Sequence, residues 1–299
     1  MTYPAQGPVH LRTNLADYPG TMALKEGRVT SPLVTFDFCG PKVAHDGFKD
    51  MVRKDAFDVG ELAIVTFLQA KVYGKPYVLL PAPVLGRLQH HCIGYSAKYG
   101  ELLPKDIEGK RVGVRTYAQT TGLWVRGILK HDFGVDLDRV TWCTLDEAHL
   151  AEHTDPTNCE RLPPGSKLDK LMLEGDLAAA ILGDLMPNDP DVRRLIPDHA
   201  AAAQDWYAST NILPINHIFT VHEDLARERP DVIKEIFRLL VESRKLAPAT
   251  ALATTPPFGV EANRKGLEFA IDWALEQKII PHRLSVDELF CDETRYLTP

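Results

Sequence analysis

The segment Gly109–Val135, GKRVGVRTYAQTTGLWVRGILKHDFGV, constrains the fold more tightly than any other stretch of the chain. Arg111–Val114 reads as a short buried strand and Arg115–Gln119 as a polar turn. A helix starts near Thr120-Thr121, carries Leu123, Trp124, Ile128 and Leu129 at helical spacing, and stops at Gly134. A strand that delivers a hydroxyl-rich turn to a helix N-terminus builds an anion site, because free N–H groups and the positive end of the helix dipole face the turn. Arg115 and Arg126 add candidate positive charge. The same pattern also fits an ordinary strand-to-helix unit whose threonines only cap the helix.

Strand and helix patterns alternate on both sides of this segment. Val9–Asn14, Leu33–Phe38, Phe57–Val59 and Tyr77–Pro81 read as strands before it, with helices at Asp17–Glu26, Gly47–Lys54 and Ala63–Val72. His91–Ser96 is a further strand. After it come the strands VTWCT, AAAIL and RRLIP and the helix Leu168–Glu174, with a polar segment from Asp146 to Ser166. The alternation occurs twice over, which predicts two α/β lobes with parallel sheets. At Asn211 the pattern changes to a strand, NILPINHIFTV, followed by helices at Asp224–Arg229, Pro230–Ala247 and Glu261–Lys278; a Pro/Gly loop, Thr254–Gly259, precedes the last.

Composition narrows the function. The 34 Lys and Arg are scattered among 41 Asp and Glu, for a net charge of -7, with no basic run, so nucleic acid is not an expected partner. No apolar run is long enough to span a bilayer, and MTYPAQGPVHLRTNLADYPG has neither a basic n-region nor an apolar h-region. The five cysteines (Cys39, Cys92, Cys143, Cys159, Cys291) form no C-x-x-C pair and read as reduced packing residues. A cytoplasmic protein without membrane partners is the expectation.

Several stretches together resemble one family. FDVGELAIVTFL, RLQHHCIGYS, the Gly109–Val135 segment, the LPPG turn, LEGDLAAAI, LPINHIFTV and PFGVEANRKGLEFAIDWALEQ are similar to 4,5-dihydroxyphthalate decarboxylases, whose fold is in turn similar to type II periplasmic solute-binding proteins. The resemblance implies two α/β lobes joined by crossover strands at His91–Ala97 and Pro214–Val221, with the ligand in the cleft between. Residues 1–95 plus 215–299 then form lobe one and 96–214 lobe two.

The substrate implied by the resemblance has two adjacent carboxylates, each para to a hydroxyl, so the ring itself can accept the electrons and no cofactor is expected. The protein must hold the dianion and move protons. The resemblance points to His91 and His217, one on each crossover, for proton transfer. By themselves, both read as satisfied core histidines, and it is the resemblance that favours function at both. Glu61 is the matching acid, placed to accept from the substrate hydroxyls or to orient a histidine. Arg87 and Arg126 are the candidate carboxylate clamp, with Thr120 and Thr121 for the second carboxylate; Tyr117, Asn216 and His90 complete the candidate binding set. His90 stands where the family carries arginine, which leaves the exact aromatic acid open.

Two metal readings compete. His149-Leu150-Ala151-Glu152-His153 fits H-x-x-E-H, but Thr154-Asp155-Pro156 stops any helix there. His90, His91, His217 and Glu61 form the better metal alternative by ligand type. A non-catalytic solute-binding protein of the same fold is the main competing function. The expected partner in either case is a small aromatic carboxylate, and a homo-oligomer is the expected assembly.

Overall fold

The computed structural model describes residues 3–253 and 255–299. Two mixed sheets organise it. The first contains β1 (Val9–Asn14), β2 (Val34–Asp37), β3 (Val59–Ala63), β4 (Tyr77–Gly86) and, far along the chain, β11 (Ile215–His222). Their order is β2-β1-β3-β11-β4. Four of them run parallel, and β11 inserts antiparallel between β3 and β4. The second sheet contains β5 (Ile93–Ser96), β6 (Arg111–Val114), β7 (Thr141–Thr144), β8 (Cys159–Arg161), β9 (Ala179–Ile181) and β10 (Val192–Arg194), in the order β10-β5-β9-β6-β7-β8. Here β5 is the antiparallel insertion, the counterpart of β11 in the first sheet. Each lobe therefore borrows one reversed strand next to the point where the chain changes sheets.

All of β5 belongs to the second sheet, so the chain leaves the first sheet within Arg87–Cys92, upstream of the boundary drawn at residue 95 from the sequence. The polar stretch after β7 hides β8, which the sequence pattern did not show. His199–Thr210 is a helix that the sequence reading left unassigned. Of the Thr254–Gly259 loop, Thr254 lies outside the described residues, as do Met1 and Thr2 of the opening stretch. None of the described helices is long and apolar enough to cross a membrane.

The helix Thr120–Phe133 behaves as its sequence predicts at both ends. It begins at the first threonine and ends at Gly134, whose φ of 65° is the left-handed turn that glycine tolerates best. It differs in how much of it is buried: every residue from Thr120 to Leu129 is inside. One apolar cluster runs unbroken from Phe48 and Ile64, through Trp124 and Trp142, to Ile271 and Trp273. The helix is caught in it, between the second sheet and the C-terminal helix Val260–Glu276.

Close packing at that contact needs a glycine. A Cβ on Gly127 would lie 1.9 Å from the Trp273 ring, whose neighbour Trp124 packs edge-on at 5.5 Å. Gly127→Ala must displace the indole, and overpacking of this kind costs about 1–3 kcal/mol or more. The expected outcome is a lower thermal midpoint, read by calorimetry, which Trp273→Leu in the same chain partly restores.

Candidate functional site

Both helices that follow the central strands of the two sheets start at the same place. The helix Ile64–Val72 follows β3 directly, and its Val65 N–H reaches Thr120 Oγ1, at the start of the second-lobe helix, at 3.3 Å. Two helix N-termini thus meet across the cleft between the lobes. Each carries unpaired backbone N–H groups and a partial positive charge, so the meeting point favours an anion.

His217 lies beside this point. It sits near the start of β11, paired with Ala63 at the end of β3. Its Nδ1 contacts Glu61 Oε2 at 2.5 Å and Tyr18 Oη at 3.1 Å. Tyr18 also donates to the same Glu61 oxygen at 2.8 Å, and the Ala16 N–H donates to the other at 2.6 Å. Glu61 is fully buried, so this set of bonds satisfies a carboxylate that water cannot reach. The set also fixes the imidazole orientation, and Nε2 is left without a protein partner among the described residues. The Phe48 ring packs edge-on against His217 at 5.3 Å. Burial and the bonded Glu61 push the Tyr18 hydroxyl far above the ordinary phenol value, so Tyr18 serves as a donor.

Arg115 supplies the positive charge. It follows β6, is partly exposed, and its guanidinium has no hydrogen-bond or ion-pair partner among the described residues. Its reach is visible in two neighbours. His45 is held below the usual imidazole value by burial and by Arg115, against the opposing pull of Asp46. His149 is lowered to about 3 by burial and then by Arg115, Lys49, His45 and Arg53. The turn after Arg115 also buries Thr116 Oγ1 and Gln119 Oε1 with no protein partner.

Most of the remaining sequence candidates are buried. Arg126, read as half of a carboxylate clamp, is fully buried. Its Nε bonds Gln277 Oε1 at 2.8 Å, its Nη2 bonds the Tyr117 carbonyl at 2.7 Å, and its guanidinium lies over the Tyr117 ring at 4.0 Å. Tyr117 is buried too, and its hydroxyl donates to the Gln277 carbonyl. These contacts anchor the turn to the end of the C-terminal helix; Arg126 Nη1 is buried with no partner among the described residues, and the all-round burial of the helix leaves position 126 no open face. Thr121 is buried beside Thr120, and Asn216 accepts from Gln89 at 2.7 Å, tying the two chain crossings together.

Arg87, His90 and His91 form a second group. Arg87 is paired with Asp184 on the loop after β9. His90 is buried and packs edge-on against Trp206. His91 is lowered by burial and then by Arg87 and Arg194, with Asp184 opposing. The structure therefore does not assemble His90 and His91 with His217 and Glu61 as one metal-ligand set. The H-x-x-E-H residues also diverge: His149 bonds Thr66, Glu152 pairs with Lys75, and His153 faces Asp155. Among the described residues, no group of three or more His, Cys, Asp or Glu side chains is placed to hold a metal ion.

The buried histidines make the fold sensitive to acid. Burial lowers His90 to about 4, and His149 is at about 3, against an ordinary 6.5. Between these values the unfolded chain takes up protons that the folded chain refuses. Stability is therefore complete above pH 6.5 and falls as the pH drops towards 4. Urea midpoints are expected to be lower at pH 4.5 than at pH 7, with a flatter slope for His90→Phe.

Two sheets that each take one reversed strand, with a polar cleft where their helices begin, define the class: this is the type II periplasmic-binding-protein fold. The alkanesulfonate-binding protein SsuA from Xanthomonas axonopodis pv. citri, bound to MOPS, superimposes with a TM-score of 0.58 over 96% of this chain and 99% of its own, at 14% identity. The desulfurization enzyme DSZB does so at 0.54 over 94% of this chain and 96% of its own, at 13% identity. No family model matches the chain. Among curated proteins, it is 25% identical to the 4,5-dihydroxyphthalate decarboxylase of Comamonas testosteroni over 230 residues, 69% of this chain and 68% of that one. It is 28% identical to that of Pseudomonas putida over 169 residues, 52% of this chain and 65% of that one. These relatives support the resemblance to the 4,5-dihydroxyphthalate decarboxylase family read from the sequence.

Proposed function

We propose that the protein is a decarboxylase that acts without a cofactor on 4,5-dihydroxyphthalate or a close hydroxylated aromatic dicarboxylate. The observation that carries this reading is the His217–Glu61–Tyr18 set beside an unpaired Arg115 and two converging helix N-termini. A cleft that only binds an anion needs the second feature. The first adds an imidazole held in a fixed orientation with Nε2 unpartnered among the described residues, which is what proton transfer requires.

In this reading the dianion lies with its carboxylates towards Arg115 and the N–H groups at Ile64 and Thr120. The hydroxyl para to the leaving carboxylate gives its proton to water, to take one back once CO2 has left, and the phenolate pushes electrons into the ring. Nε2 of protonated His217 gives its proton to the ring carbon that bears the carboxylate. The bond to that carboxylate then breaks, CO2 leaves, and its electron pair restores the aromatic ring. One proton is consumed for each CO2 formed. Glu61 holds the imidazole through Nδ1 and balances its positive charge.

The names of the two curated relatives support this substrate. The competing reading, a non-catalytic binder of an aromatic carboxylate, draws on the fold of the alkanesulfonate-binding neighbour, which decides no chemistry. The purified protein, treated with chelator, is incubated with 4,5-dihydroxyphthalate, and formation of 3,4-dihydroxybenzoate is followed. Steady production supports the enzyme. Tight binding with no product leaves a binding protein, and activity that only zinc restores supports a metal-assisted lyase.

A further inference from the structure

The loop between β7 and β8 leaves the second sheet, crosses to the first lobe and is fastened there at several points. Glu147 pairs with Lys49 at 3.2 Å and with Arg53 at 3.0 Å. Arg53 also donates to the backbone carbonyls of Ala148 and His149, at 2.9 and 2.6 Å. Glu152 pairs with Lys75 at 2.7 Å. Every partner belongs to the first lobe: Lys49 and Arg53 to the helix Phe48–Lys54, and Lys75 to the turn before β4. At the centre of the loop, His149 enters the cleft wall. Its Nδ1 contacts Thr66 Oγ1 at 2.8 Å, in the first turn of the helix that meets Thr120. Its ring packs edge-on against Phe48 at 5.7 Å, and Phe48 in turn packs against His217.

We propose that Leu145–His153 is a clasp that holds the two lobes together over the cleft, and that His149 on it is a specificity residue that hydrogen-bonds an uncharged hydroxyl of the substrate. Three observations support the role of His149. Nδ1 is occupied by Thr66, while Nε2 has no partner among the described residues. Arg115, the carboxylate anchor, acts on this ring more strongly than any other charge. The ring also stays uncharged across the working pH range, since burial and the surrounding cations hold it at about 3. An uncharged imidazole pairs with a phenol without competing for the carboxylates. The clasp follows from the contacts alone, whereas the ligand named for His149 rests on the proposed function.

The test separates the two parts. Hydrogen exchange of the ligand-free protein reads the clasp. In Arg53→Ala/Lys75→Ala, exchange is expected to rise in Leu145–His153 and also at the cleft helix starts, residues 63–66 and 119–122. A rise confined to the loop overturns the clasp. Calorimetric binding of 4,5-dihydroxyphthalate and of phthalate, which lacks both hydroxyls, reads His149. His149→Leu is expected to weaken the first by about tenfold, the upper range of one neutral hydrogen bond, and to leave the second unchanged. His149→Gln is expected to recover most of the loss. Equal loss of both ligands, or no loss of either, overturns the specificity role. Failure of the unaltered protein to bind either ligand contradicts the proposed function and the assignment of His149 with it, while the exchange result still decides the clasp.

Discussion

Turnover of 4,5-dihydroxyphthalate by His217→Ala is expected to fall by roughly 10³-fold, within the range lost when a positioned general acid is removed. Binding of the substrate is expected to persist, because Arg115 and the two helix N-termini are untouched. The backbone at this position is secured by β3 on one side and β4 on the other, through Ala63 and Leu85, so the strand itself does not depend on the imidazole. Glu61, however, loses a partner while fully buried, and an under-bonded buried carboxylate destabilises by about 1–3 kcal/mol. His217→Gln answers that objection. Its side-chain amide still donates to Glu61 but cannot carry a proton to carbon, so its turnover should match that of the alanine variant while its thermal midpoint stays close to the original. Recovery of activity in His217→Gln would mean that the ring only supports Glu61.

Arg115→Met is expected to raise the dissociation constant for the dicarboxylate by roughly 10- to 100-fold, the range of one lost charge-assisted hydrogen-bond pair. Little stability should be lost, because the guanidinium has no partner among the described residues. The substitution carries a second signature. Arg115 lowers both His45 and His149, so removing it should move both proton titrations upward in an NMR pH series. Arg126→Met should do the reverse of Arg115→Met: a large loss of thermal stability, with affinity falling only as far as the Tyr117 turn loosens. Its guanidinium is fully inside and ties that turn to Gln277.

The contrast between these two arginines shows where sequence reading stops. The strand Arg111–Val114, the start of the helix at Thr120 and its end before Gly134 were legible because local rules set them: hydrophobic run, capping threonine, left-handed glycine. Which arginine of the segment faces the cleft was not. Arg126 was read as half of the carboxylate clamp, but Gln277, at the end of a helix more than a hundred residues away, takes its guanidinium inside. His217 and Glu61 were found through the family resemblance, since neither strand pattern marks its polar residue as functional. Tyr18 and His45 gave no signal. They lie on turns near the chain start and join the site only when β11 inserts beside β3. The helix His199–Thr210 was missed because its run of alanines gives almost no apolar stripe. The strand β8 was missed because it is a three-residue edge strand, largely exposed.

The central claim is that the cleft moves a proton from His217 to the ring carbon of a bound dicarboxylate. A single-turnover reaction in D2O with substrate labelled in its carboxylates tests it directly, run on the unaltered protein and on His217→Gln. The expected result is one labelled CO2 and one deuterium on the vacated ring carbon per site for the unaltered protein, and bound, unreacted substrate for the variant. Substrate that stays bound and intact in the unaltered protein, or label released at equal rates by both proteins, would contradict it.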